Sequence, residues 1–188
     1  MVLAVDPLSP SAIATLLDTL DVSPNTVFLE LSSTHSLLTI QGGVDQPIWP
    51  FHKSFSDFIV DPSRCIDERF RIYPPIHHLV LLAGCHKPMN RTLEKNMRKL
   101  SDTVLNSEVD DLEERIERYI SPALRYACKF WHKHLVGEHA KDDAAIAAAL
   151  HCFLEKKFVF WLDVLSVLGA AGEPIDALQV AVNWLVVC

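Results

Sequence analysis

The first 52 residues contain no lysine and no arginine, while Asp6, Asp18, Asp21, Glu30 and Asp45 all fall among them. Binding to a phosphate backbone rests on cationic contacts, so this part of the chain is a poor DNA binder whatever its shape. The formal net charge of −7 points the same way. Glycine is scarce, six in 188 residues, and none is followed by lysine. A Gly-x-x-x-x-Gly-Lys-Ser/Thr phosphate cradle is therefore missing, and the chain alone is not expected to hydrolyse ATP. There is no Gly-x-Ser-x-Gly elbow for a serine hydrolase. No apolar run reaches the roughly 20 residues that span a bilayer. The opening Met-Val-Leu-Ala-Val-Asp-Pro lacks the basic region and apolar core of a signal peptide. The five cysteines are an odd number with no Cys-x-x-Cys pair, which suits reduced thiols in the cytosol.

What is there suits a folded protein. The chain is 49% hydrophobic and 22% charged, and it is long enough for one large or two small domains. Ser9-Pro10 is an N-cap with proline at the first helical position, followed by an apolar face of Ile13, Leu16, Leu17 and Leu20. Ser23-Pro24 repeats the device before Val27, Phe28 and Leu31. Leu37–Ile40 and Ile48–Phe51 are short strand-like runs around Gly42-Gly43, the pattern of a hairpin. Phe55, Phe58 and Ile59 recur at helical spacing and predict a short helix that begins at His52 and stops at Asp61-Pro62. On spacing alone Phe55 and Phe58 are core residues, and His52 a solvated residue at a helix start.

Residues 62–73 are polar and irregular. A helix is predicted from Pro74 through Leu79, Leu82 and Cys85 toward Leu93 and Met97, with Pro88 expected to kink or break it. A loop over Leu100–Asn106 precedes Ser107-Glu-Val-Asp110, which resembles a capping box with Asp in place of Glu. That box would open a helix with Val109, Leu112, Ile116 and Ile120 inside and Glu113, Glu114, Arg115, Glu117 and Arg118 on a solvated face. Ser121-Pro122 starts another, whose stripe of Leu124, Ala127, Cys128, Trp131 and Leu135 signals packing. After a loop at Gly137–Asp143, helices are expected over Ala144–Lys156, Phe158–Leu168 and Pro174–Val187. The second is apolar almost all round and should be the most buried. The Leu-Val-Val-Cys188 end lies within an apolar pattern and would expose surface suited to a protein partner at Trp184–Cys188.

Candidate chemistry is sparse. Asp110-Asp111 and Asp142-Asp143 are adjacent acids, which point in different directions on a helix and do not form a dyad. Cys85-His86 and His151-Cys152 are adjacent pairs, and Cys128 and His132 alone have good ligand spacing. A structural zinc site takes four ligands, so a packed Cys128 beside a surface His132 is the simpler expectation, with no metal site.

His52 carries the remaining signal. A helix start presents unpaired N–H groups and the positive end of the helix dipole, and so favours anions. Phe51-His-Lys-Ser-Phe-Ser-Asp-Phe-Ile59 resembles the winged-helix motif of NACHT-type signal-transduction ATPases (STAND ATPases). More narrowly, it is similar to the NOD-like receptor relatives abundant in mushroom-forming fungi. The resemblance continues through Asp61-Pro-Ser-Arg-Cys65, Arg69-Phe-Arg-Ile72, Leu105–Leu112, Phe153–Phe158 and Phe160–Leu168.

It implies a mainly α fold: a partial winged helix (two helices plus a β-hairpin) at 1–62, lacking the usual first helix, then a helical array at 63–188. Pro88 departs from the pattern. The array would be the arm between an ATPase and a sensor region in innate-immunity-like or incompatibility-like signalling. The expected role is regulatory and non-catalytic. His52 would contact the β-phosphate of ADP held by a P-loop nucleotide-binding domain in cis or in trans, latching the inactive state, and this chain itself would hold no cofactor. The alternative is a free-standing helical protein-interaction module without nucleotide. A winged-helix DNA binder is a poor third, because its recognition helix at Pro24–Thr34 carries Glu30 and no basic residue.

Overall fold

The computed structural model describes residues 3–17, 22–99, 105–136 and 144–187, with side chains up to 185. Outside them lie Leu20, Asp18 and Asp21, most of the 100–106 loop and the 137–143 loop with its Asp142-Asp143 pair. The side chains of Val186 and Val187, and Cys188, are outside as well. The described residues form nine α-helices and one two-stranded antiparallel sheet: α1 Pro10–Leu16, α2 Pro24–Ser32, β1 Leu38–Thr39, β2 Trp49–Pro50, α3 Lys53–Val60, α4 Pro74–Thr92, α5 Leu112–Tyr119, α6 Pro122–Phe130, α7 Ala144–Lys156, α8 Phe158–Val167 and α9 Glu173–Val187. The protein is mainly α, with a small hairpin between α2 and α3. Among the described residues no helix is long and apolar enough to cross a membrane.

The three Ser-Pro starts form as their local chemistry dictates. The hydroxyls of Ser9, Ser23 and Ser121 accept from the backbone N–H groups of Ala12, Thr26 and Leu124 at 3.2, 3.1 and 3.3 Å. The hairpin pairs Leu38 with Pro50 and Thr39 with Trp49. Leu8 adds an antiparallel bridge to Ile48, so the N-terminal segment lies along the wing.

α4 runs unbroken through Pro88, so the expected break does not occur. Pro88 lacks the N–H that would bond the carbonyl of Gly84. Leu82, Cys85 and Met89 are fully buried around it, because α1, α6 and α7 all pack on this helix. That packing outweighs one missing hydrogen bond. Gly84 is where α1 comes closest: a Cβ there would press into the Leu16 carbonyl, so the crossing needs glycine. The helix ends at Thr92, earlier than the apolar pattern suggested, and Lys157 Nζ donates to the Leu93 carbonyl at 2.8 Å. Leu93 and Met97 are still buried, reached through a turn in which Asn96 has φ 55°.

The centre of the core is aromatic. Trp131, Phe153 and Trp161 are fully buried and meet edge to face, with centroids 5.5 Å apart for Trp131–Phe153 and for Phe153–Trp161. Trp161 Nε1 donates to the Cys128 carbonyl at 2.8 Å. That carbonyl is free because α6 ends at Phe130 and tightens into the 3-10 turn Trp131–His134. One contiguous apolar core runs from Leu8 and α1 to Trp184 in α9, so α1 is built into the helical array.

Two expectations need correction. The Ser107–Asp110 capping box does not form. Ser107 lies in a 3-10 turn, Asn106–Glu108, where the Glu108 carboxylate accepts from Leu105 N–H at 3.3 Å. α5 therefore starts at Leu112. α8 is not buried all round: Trp161, Val164 and Leu165 face α6 and α7, while Val159 is 71% exposed, because the described residues cover one side only. Its end follows the sequence. Gly169 at φ 64° lets Ala170 N–H reach the Leu165 carbonyl at 2.9 Å and Gly169 N–H the Ser166 carbonyl at 3.3 Å.

Candidate functional site

The hairpin delivers His52 to the start of α3. Phe51 N–H donates to the Leu37 carbonyl at 2.9 Å and closes the wing. The next residue is extended (φ −146°, ψ 143°), and the following turn is helical. His52 is the N-cap: its Nδ1 accepts from Ser54 N–H at 3.1 Å and lies 2.9 Å from Ser54 Oγ. An N–H can donate only to an unprotonated nitrogen, so the cap fixes the tautomer with the proton on Nε2. The ring is exposed, and among the described residues nothing bonds Nε2.

The surroundings are open and partly apolar. Phe51 is 75% exposed and Trp49 is also exposed. Lys53 and Ser56 line a cleft of about 300 Å³ against the N-terminal segment and the wing. α3 has no fully buried residue: Phe55 is half-buried, Phe58 is exposed, and the Arg64 guanidinium sits 5.7 Å from the Phe58 ring. The spacing made Phe55 and Phe58 core residues, but the described residues do not cover that face. The arrangement can present one imidazole N–H donor, an adjacent ammonium and the positive end of a helix to an anionic group from outside.

The other sequence candidates do not converge. Cys128 is packed in the core, where burial pushes its thiol up. His132 is also buried rather than on the surface, with Nε2 3.6 Å from Glu173 Oε2. Burial pushes it down to about 4, Lys133 acting in the same direction and Asp176 against. Among the described residues no group of three or more His, Cys, Asp or Glu side chains is poised to hold a metal. Asp111 is held by Arg115, Nε to Oδ2 at 2.8 Å, which lowers its carboxyl, and Asp110 takes no part. At the apolar C-terminal end Trp184 is buried against the molecule itself, whereas Ile175, Val182 and Leu185 of α9 are exposed.

One polar chain has no local signature: half-buried His78 on α4, and buried His134 on the 3-10 turn and Tyr126 on α6. Its partners lie 56 and 8 residues apart, beyond any local motif. No protein-family model, curated protein or solved structure matches this chain.

Proposed function

We propose that the chain is a regulatory, non-catalytic segment of a NACHT-type signal-transduction ATPase, in which His52 latches the ADP-bound state. The observation that supports it most is the His52 cap. Using Nδ1 for the helix leaves Nε2–H aimed outward as a fixed donor beside Lys53 and the α3 start. A hydrogen bond from that donor to a phosphate held by a second domain couples the two domains through the nucleotide. His52→Ala removes the donor and, with it, the Nδ1 cap.

The test is capture from extracts of the source cells on the immobilised 188-residue chain, with ADP or a non-hydrolysable ATP analogue added. A P-loop ATPase should be retained with ADP, less with the analogue, and lost with His52→Ala. Equal retention under all three conditions contradicts the latch.

A second reading, a helical interaction module without nucleotide, is favoured by the exposed stripe of Ile175, Val182 and Leu185 on α9. In that case a protein partner binds this stripe, and His52→Ala changes nothing.

A further inference from the structure

One buried polar chain joins the N-terminal segment to the helical array. Val5 N–H donates to Tyr126 Oη at 3.1 Å, Tyr126 Oη lies 2.8 Å from His134 Nε2, and His134 Nδ1 lies 2.9 Å from His78 Nδ1. Tyr126 and His134 are buried and His78 is half-buried.

The direction of the protons follows from satisfying each buried donor. Tyr126 already accepts from Val5. If its O–H donates to His134 Nε2, then His134 carries its own proton on Nδ1 and donates it to His78 Nδ1. His78 Nε2–H is left for the wetter side, and every buried donor has an acceptor. In the opposite direction His134 Nε2–H faces the phenol oxygen, and the Tyr126 proton has no acceptor in the chain of bonds. An unmet buried donor is costly, so the first direction is the neutral ground state.

We propose that this chain of bonds is a proton-operated clamp, which fixes the N-terminal segment to the array when both imidazoles are neutral and releases it when the His78–His134 pair takes up one proton. Two Nδ1 atoms facing each other at 2.9 Å hold one proton between them. A further proton on His78 turns His134 Nδ1 into an acceptor and moves the His134 proton to Nε2. Tyr126 then loses the acceptor for its O–H, and its hold on Val5 weakens.

The groups facing the pair oppose that charge in the folded state. His77 does so at His78 and His132 at His134, whereas Cys85 and Asp6 act on Tyr126, where they raise the phenol. Beyond Tyr126 lies a groove with Asp6, Asp45, Glu117, Arg125 and Lys129 on its walls. Burial, then His78, brings His134 down to about 4, and burial with His77 lowers His78. An unfolded imidazole titrates near 6.5, so the clamp is whole above that pH and is lost progressively as pH falls toward about 4. The released segment matters to the wing: three residues beyond Val5, Leu8 pairs with Ile48, which leads into β2 and His52. The clamp stands independently of the ADP proposal.

Amide hydrogen exchange by NMR on the full chain tests it. Between about pH 7.5 and about pH 5.5, protection of the Val5 amide should fall about tenfold after correction for intrinsic rates, the effect of one imidazole, His78, whose charge burial and His77 oppose in the folded state. The amides of Val164 and Leu165 in α8 should keep their protection. Tyr126→Phe should leave Val5 unprotected at both pH values. His78→Gln, which accepts from His134 without taking a proton, should move the loss to lower pH. Unchanged Val5 protection in the wild type overturns the clamp. So does a loss that α8 shares, or a His78→Gln midpoint that does not move.

Discussion

Trp161→Ala is expected to cost about 3–5 kcal/mol, a large share of the 5–15 kcal/mol that holds a typical domain. Trp161 is fully buried and packs edgewise on Trp131 and Phe153, so truncation leaves a cavity that three helices and a turn cannot easily close. It also strands the Cys128 carbonyl, which takes the indole N–H at 2.8 Å. Urea unfolding should show the midpoint falling sharply for Trp161→Ala and less for Trp161→Phe, which keeps an aromatic ring but loses part of the volume and the donor. A shift for Trp161→Ala no larger than that of an exposed change such as Val159→Ala would contradict an aromatic centre of the core.

The second large effect is acid sensitivity. His86, His132 and His134 are all buried, and burial is the first cause that brings each down to about 4. The groups are held neutral in the folded protein, so the unfolded chain binds more protons as pH falls through about 6.5. Stability is therefore full above about pH 6.5 and is lost between there and about pH 4, by several kcal/mol if all three contribute. Urea midpoints followed from pH 7.5 downward should decline over that window, and a flat profile would count against the buried histidines. His86 is the cleanest probe, because among the described residues neither ring nitrogen has a hydrogen-bond partner and the ring packs against Trp131 and Phe153. His86→Leu should make the decline shallower, leaving the share of His132 and His134, without lowering stability at neutral pH.

Where a signal is local, it was readable. The Ser9, Ser23 and Ser121 caps act over three residues, and Leu124, Ala127 and Cys128 record one face of α6, so both could be read from spacing; Trp131 and Leu135 of the same stripe are buried too, but they lie beyond the end of α6 at Phe130. The start of α3 at His52 was equally plain. Where the structure departs from the sequence reading, a distant partner decides. Pro88 stays helical because three helices pack around it, and Val159 is exposed because nothing among the described residues covers that side of α8. Ser107 is the exception, where a competing local contact decides: Glu108 reaches back to Leu105. The outward donor of His52 depends on a tautomer that only the Ser54 hydrogen bond reveals. His78, Tyr126 and His134 had no readable link, since the fold alone brings His134 within 2.9 Å of His78 and 2.8 Å of Tyr126.

The proposed ADP latch rests on a single hydrogen bond from His52, so the most direct measurement is the rate of ADP release from a P-loop ATPase assembled with this chain, with and without His52→Ala. A lost hydrogen bond to a charged group is worth about 1.5–3 kcal/mol, so ADP release should quicken by roughly tenfold to a hundredfold. His52→Asn, whose short side chain can still cap the helix, should release ADP as fast as His52→Ala, which separates the latch from the cap. ADP release at the wild-type rate from both variants would contradict a nucleotide latch at His52.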